Sequence, residues 1–121
     1  MTVLGPDFIA LQVRDLPAAA AFYDRLGLLR DPSGPPHAVV YATSPAFALR
    51  EPLPGLELDA CTPRPGAGVA LWLRADDAQA VHDDLVSTGV EILAPPTDGP
   101  FGRQFTLADP EGYAITIHDQ A

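Results

Sequence analysis

A strand–helix pattern occurs twice along this chain, and that repetition limits the folds open to it more than any other feature. Sliding the sequence along itself lays IALQVR (9–14) on VALWLR (69–74), with identities at Ala10/Ala70, Leu11/Leu71 and Arg14/Arg74. Ala18/Ala78, Ala20/Ala80 and Asp24/Asp84 continue the match at the same offset. A small insertion, placed in the second helix, brings Gly27 onto Gly89. Half a chain of this length would bury too little surface to be comfortable alone, so the two halves are expected to share one domain, residues 1–121.

Each half spells out the same element order. Ile9, Leu11 and Val13 alternate with Phe8, Ala10, Gln12 and Arg14, which is the two-residue period of a strand with one buried face. Asp15 is a good N-cap and Pro17 suits a first turn. Ala19, Phe22, Tyr23 and Leu26 then form an apolar stripe that predicts a helix over 16–26, ended by Gly27. A short strand at 28–30, a turn-rich loop at 31–36 and strands at 37–42 and 46–51 complete module one, about 7–51. Residues 52–67 (PLPGLELDACTPRPGA) are a linker whose Pro and Gly density opposes regular structure. Its length suits a segment that wraps a surface or covers a site. Module two, about 68–118, repeats the order. A strand at 69–74 precedes a helix capped by Asp76, with Ala78, Val81 and Leu85 inward and Gly89 at its end. A strand at 90–93, a Pro/Gly loop at 94–102 and a strand at 104–107 follow. A tight turn at Asp109-Pro110-Glu111-Gly112 leads into a last strand at 113–118.

The fold class is therefore α+β: two tandem βαβββ modules forming a curved mixed sheet, helices outside and a concave ligand-binding face within. Ile9, Leu11, Val13, Val69, Leu71 and Leu73 are expected under the helices. Phe8, Gln12, Arg14, Trp72 and Arg74 are expected on the concave side.

Charge and composition remove several function classes. Sixteen acidic against seven basic residues give a net charge of −9, the wrong sign for neutralising nucleic-acid phosphates and permissive for a cationic ligand. One cysteine, Cys61, allows neither an intramolecular disulfide nor a cysteine metal cluster. No signal-like start and no membrane-length apolar run are present, so the expectation is a cytoplasmic protein without membrane contact. Ser33, Ser44 and Ser87 lack a nucleophile-elbow context, and the glycines form no phosphate cradle. No catalytic residue is assigned.

With VRDLPAAAAFYDRLGL in the first module and FGRQFTLADPEGYAITI in the second, the chain resembles the vicinal oxygen chelate superfamily, from residue 8 to residue 118. That group holds glyoxalases, extradiol dioxygenases and bleomycin-resistance proteins. The resemblance implies a divalent metal on the concave face, held by a histidine at the start of each module's first strand and glutamates on the last strands. Here those positions carry Phe8, Gly68 and Thr116, with Ala48 or Arg50 at the fourth and Glu51 beside them. His37, His82 and His118 show no spacing that rebuilds a site. The expectation is a metal-free, cofactor-free binding protein of the bleomycin-resistance type, a homodimer with sites at or near its interface. Its ligand would be an aromatic or cationic natural product, bound by Trp72, Phe8, Gln12, Tyr41, Arg50, Phe101 and Thr116. The alternative is an enzyme. One form is a metal-dependent lyase, isomerase or dioxygenase using His37 or His118 with Glu51. The other is metal-free, with Arg50 or Arg103 as electrophile and Tyr41 as acid.

Overall fold

The structure, a computed structural model, describes residues 1–120. Its contacts divide into two units, Met1–Leu58 and Asp59–Ala121, and the boundary falls inside the expected linker. Among the described residues, no helix is long and apolar enough to cross a membrane.

The first unit contains β1 (Phe8–Gln12), α1 (Leu16–Arg25), β2 (Ala38–Tyr41) and β3 (Ala46–Arg50). Its strand order is β1-β3-β2, with β1 parallel and β2 antiparallel to β3. The short strand expected at 28–30 reduces to a single bridge from Arg30 to Tyr41. Asp15 caps α1 as expected, its side chain accepting from the Ala18 N–H at 3.0 Å. Leu11, Val13, Tyr23, Tyr41, Phe47 and Leu49 form the core beneath the helix. Tyr23 lies 5.2 Å from Phe47 and 5.0 Å from Phe22, centroid to centroid, at steep interplanar angles that suit the ring quadrupoles.

One polar knot closes this core. Arg30 donates to Asp24 from Nε at 3.1 Å and Nη2 at 2.8 Å. The Tyr41 hydroxyl lies 3.0 Å from the same carboxylate and 3.1 Å from the Ala20 carbonyl. The hydrogen bonds from Arg30, supported by Tyr41, hold the Asp24 carboxyl below the usual aspartate range. A depressed carboxylate pKa stabilises the fold above the unfolded value and is lost as pH falls through the folded one. The pair is largely exposed, so Asp24→Asn is expected to cost under about 1 kcal/mol at pH 7. Urea midpoints of wild type and variant should draw together as pH falls below the usual aspartate range and Asp24 protonates in the folded state, and a gap that does not narrow with acidification would show that Asp24 acts by some route other than its charge.

The second unit contains β4 (Leu71–Arg74), α2 (Ala78–Ser87), β5 (Ile92–Gly99), β6 (Gly102–Ala108) and β7 (Ala114–His118), preceded by a short 3₁₀ turn near the unit boundary. Its sheet runs β4-β7-β6-β5, with β4 parallel to β7 and the other pairs antiparallel. Phe105, Leu107, Ile115, Ile117, Ala78 and Leu85 are buried on the helix side. Val69, expected in that core, lies outside β4 and is exposed.

Two expectations need correction here. Residues 94–99, read as loop from their Pro/Gly content, belong to β5, an edge strand paired to β6 with register shifts around Pro95-Pro96. An edge strand tolerates proline because its outward N–H has no ladder partner to lose. The cap of α2 is Asp77, accepting from Ala80 N–H at 3.0 Å, not Asp76.

That second shift changes the internal alignment. The cap Asp15 corresponds to Asp77, not to the Ala75 that the sequence match lays on it. Val13 likewise corresponds to Ala75: their N–H groups donate at 2.8 Å to the carbonyls that end β3 and β7, those of Arg50 and His118. Both helices are 10 residues long, so the insertion lies before the first strand's anchor and not inside the second helix. The sequence identities that pair Leu11 with Leu71 are therefore two positions out of structural register. Strand faces survive this error because side chains alternate with period two.

The linker is tied down at both ends. Gln12 Oε1 accepts from Leu53 N–H at 2.7 Å in the first unit. In the second unit Arg64 donates to the Gly112 carbonyl at 3.3 Å. The turn it meets is built as expected: Asp109 Oδ1 accepts from the N–H groups of Glu111 and Tyr113, both at 2.9 Å. Asp109 is buried. Asp109→Ala is expected to destabilise by about 2 kcal/mol in urea unfolding, because two N–H groups lose their acceptor.

Candidate functional site

In the second unit, alternation decides what faces away from α2. Leu71 and Leu73 pair in register with Ile115 and Ile117 on the helix side, so Trp72, Arg74, Thr116 and His118 occupy the opposite face. β6 adds Gln104 opposite His118 and Thr106 opposite Thr116. The two threonine hydroxyls share a hydrogen bond of 2.8 Å.

Aromatic rings gather at one end of this face. Phe101 sits on the short turn between β5 and β6 and meets Trp72 edge-on, centroids 5.3 Å apart at 70°. The His118 ring lies 5.7 Å from Trp72 and 6.3 Å from Phe101. Trp72 remains 43% exposed and Phe101 50% exposed, so the pair offers aromatic surface to solvent. His118 Nδ1 is covered and has no hydrogen-bond partner among the described residues.

Trp72, Phe101 and Thr116 thus come together. The remaining expected residues lie in the first unit. Phe8 pairs with Ala46 and Gln12 with Arg50, so these side chains share the face turned away from α1. Phe8 is 56% exposed. Gln12 is committed to Leu53, and Arg50 Nε donates to the Glu51 carbonyl at 2.9 Å. Tyr41 is a correction. It pairs with Phe47 and lies fully buried under α1. Burial, followed by the neighbouring Asp24 carboxylate, pushes its phenol far up. It can serve neither as a ligand contact on the open face nor as a proton donor for a substrate there. Arg103, the other candidate electrophile, faces α2, donating to Gln79 at 3.0 Å and to Asp98 at 3.2 Å.

His118, named from the sequence only as a possible metal ligand, is absent from the expected ligand-binding set. Ile115 and Ile117 facing inward put Thr116 and His118 together outward by the same alternation, and that signal was available. The His82 ring packs on Phe105 at 5.2 Å and its side chain is only 18% exposed. His37 lies exposed just before β2.

The implied metal does not fit these residues. Structural equivalence of Val13 with Ala75 moves the counterpart of Phe8 from Gly68 to Ala70. The matching carbonyl anchors at Arg50 and His118 make Ala48 the counterpart of Thr116. Phe8, Ala70 and Ala48 offer no side-chain donor, and Thr116 offers a neutral hydroxyl. Among the described residues no three His, Cys, Asp or Glu side chains group as a metal site.

Comparison with known proteins agrees with this architecture. The Glyoxalase/Bleomycin resistance protein/Dioxygenase superfamily matches residues 5–117, and the chain belongs to that superfamily. No curated protein matches it in sequence. Among solved structures it resembles TnmS3, an antibiotic binding protein from Streptomyces sp. CB03234, with TM-score 0.74, 25% identity and coverage of 100% of this chain and 99% of that one. It also resembles a glyoxalase-related enzyme from Fulvimarina pelagi, with TM-score 0.74, 26% identity and coverage of 97% and 88%. A lactoylglutathione lyase from Agrobacterium tumefaciens shares the fold at 22% identity and TM-score 0.66, with coverage of 98% and 96%.

Proposed function

We propose that this protein binds and sequesters a small planar aromatic molecule without a metal, in the manner of an antibiotic-binding member of its superfamily. The observation that carries this reading is the half-exposed Trp72–Phe101 pair, on a sheet face whose metal-ligand position holds Thr116. Exposed aromatic surface beside a few polar groups is what a ring-stacking ligand site requires. The hydroxyls of Thr106 and Thr116 and the amide of Gln104 supply those polar groups. The likeness to TnmS3 supports the same reading. Phe8 and Arg50, on the open face of the first unit, offer a second surface of similar chemistry. The net charge of −9 favours a cationic over an anionic ligand through its long-range field. The protein would act as a homodimer, the assembly that the family resemblance implies.

Calorimetric titration with proflavine, a planar cation, and anthraquinone-2-sulfonate, a planar anion, tests the proposal. The expected result is saturable binding of proflavine, with the anion weaker and the gap closing as salt screens the field. If neither binds, the aromatic-ligand reading is wrong. Native mass spectrometry of protein purified without chelator should show a dimer mass without metal; one divalent metal per site would point instead to a metal-dependent enzyme.

A further inference from the structure

His118 carries a polar atom whose need the protein itself does not meet. A covered ring nitrogen without a partner is rare in folded proteins, because desolvating it without compensation is costly. Here Nδ1 is covered and unpartnered, although Thr106, Thr116 and Asp119 nearby all make hydrogen bonds. The backbone cannot relieve it by shifting, since the His118 carbonyl is held by Ala75 N–H at 2.8 Å and the strand is in register with β4 and β6. The imidazole also belongs to the ring cluster with Trp72 and Phe101.

From this arrangement we infer that the ligand is a hydroxylated aromatic whose ring packs against Trp72 and whose hydroxyl donates a hydrogen bond to His118 Nδ1. This rests on the proposed ligand-binding role of the face and adds the chemistry that selects the ligand. Phe101 is the ring that yields. It stands on a short turn, half its surface is in solvent, and its backbone is pinned through its carbonyl by Gln120 N–H at 3.0 Å. A side-chain rotation there disturbs no strand. The incoming ring replaces Phe101 on the indole, and the hydroxyl meets the covered nitrogen that the fold leaves without a partner. The inference places the imidazole proton on Nε2 and makes Nδ1 an acceptor, to which an ether of the same shape has no proton to give.

The test uses 2-naphthol and its methyl ether, 2-methoxynaphthalene. Wild type should bind the naphthol about tenfold more tightly, the scale of one hydrogen bond to an otherwise orphaned buried group. His118→Phe keeps an aromatic ring and should bind both with equal affinity. In protein labelled with ¹⁵N-histidine, the Nδ1 resonance absent from His118→Phe should shift with naphthol and not with the ether. Equal affinity of the two probes for wild type, failure of both to bind while proflavine binds, or a preference that survives in His118→Phe would each overturn the inference and leave the aromatic-binding role standing. If proflavine and both naphthalenes all fail to bind, the binding role falls and takes this inference with it.

Discussion

Trp72→Ala is expected to weaken proflavine binding about thirtyfold, a loss of about 2 kcal/mol. The indole supplies the broadest aromatic plane on the open face of the second unit, and the substitution also removes the partner that holds Phe101 edge-on. Folding should change little, because Trp72 is 43% exposed and it is Leu71 and Leu73 that face the helix side of the sheet. Trp72→Phe should recover part of the affinity, since a smaller ring still stacks. The same indole reports on the site directly, because it is the sole tryptophan of the chain and its fluorescence has no competing source. An unchanged dissociation constant in Trp72→Ala would move the ligand to another surface.

Gly102→Ala is expected to destabilise the protein by about 3 kcal/mol, seen as a fall in Tm of about 10 °C. Gly102 opens β6 with φ of +81°, a conformation that costs an alanine about 1–2 kcal/mol. An added methyl would also collide with Asp119 Oδ1 and approach the Gln120 nitrogen at 2.9 Å. Asp119 cannot give way freely. One carboxylate oxygen accepts from Arg103 N–H at 2.9 Å and the other from Ala78 N–H, the first residue of α2, at 3.0 Å. Displacing it breaks two charge-assisted bonds that tie β6, the chain end and α2 together. Gly68→Ala is the matched control, since a methyl there meets nothing within 4 Å. A Tm for Gly102→Ala equal to that of Gly68→Ala would mean that neither the positive φ at residue 102 nor displacement of the Asp119 strap costs stability.

Asp119 also explains why the linkage was hard to read from the chain. Nothing in the local pattern at 118–120 marks a side chain that reaches back to residue 78. Long-range bonds of this kind leave no periodicity. The same holds for Tyr41. Its place in an alternating strand admitted either face, and its contacts with Ala20, Asp24 and Phe47, all in its own unit, decided for the core.

Sequence alone determined the elements that depend on neighbours within a few residues. The helix caps near Asp15 and Gly27, the Asp109–Gly112 turn, and the division of Leu71, Trp72, Leu73 and Arg74 between two faces all follow from spacing and local hydrogen bonds. Tertiary structure decided which strand lies beside which, and at what register. It matched Val13 to Ala75 across the internal repeat, drew Pro95-Pro96 into an edge strand, and brought Phe101 and His118 together around Trp72. The physical reason is that a strand's alternation specifies a face but not a partner. A slip of two positions preserves every inward and outward side chain, while it changes every neighbour across the ladder.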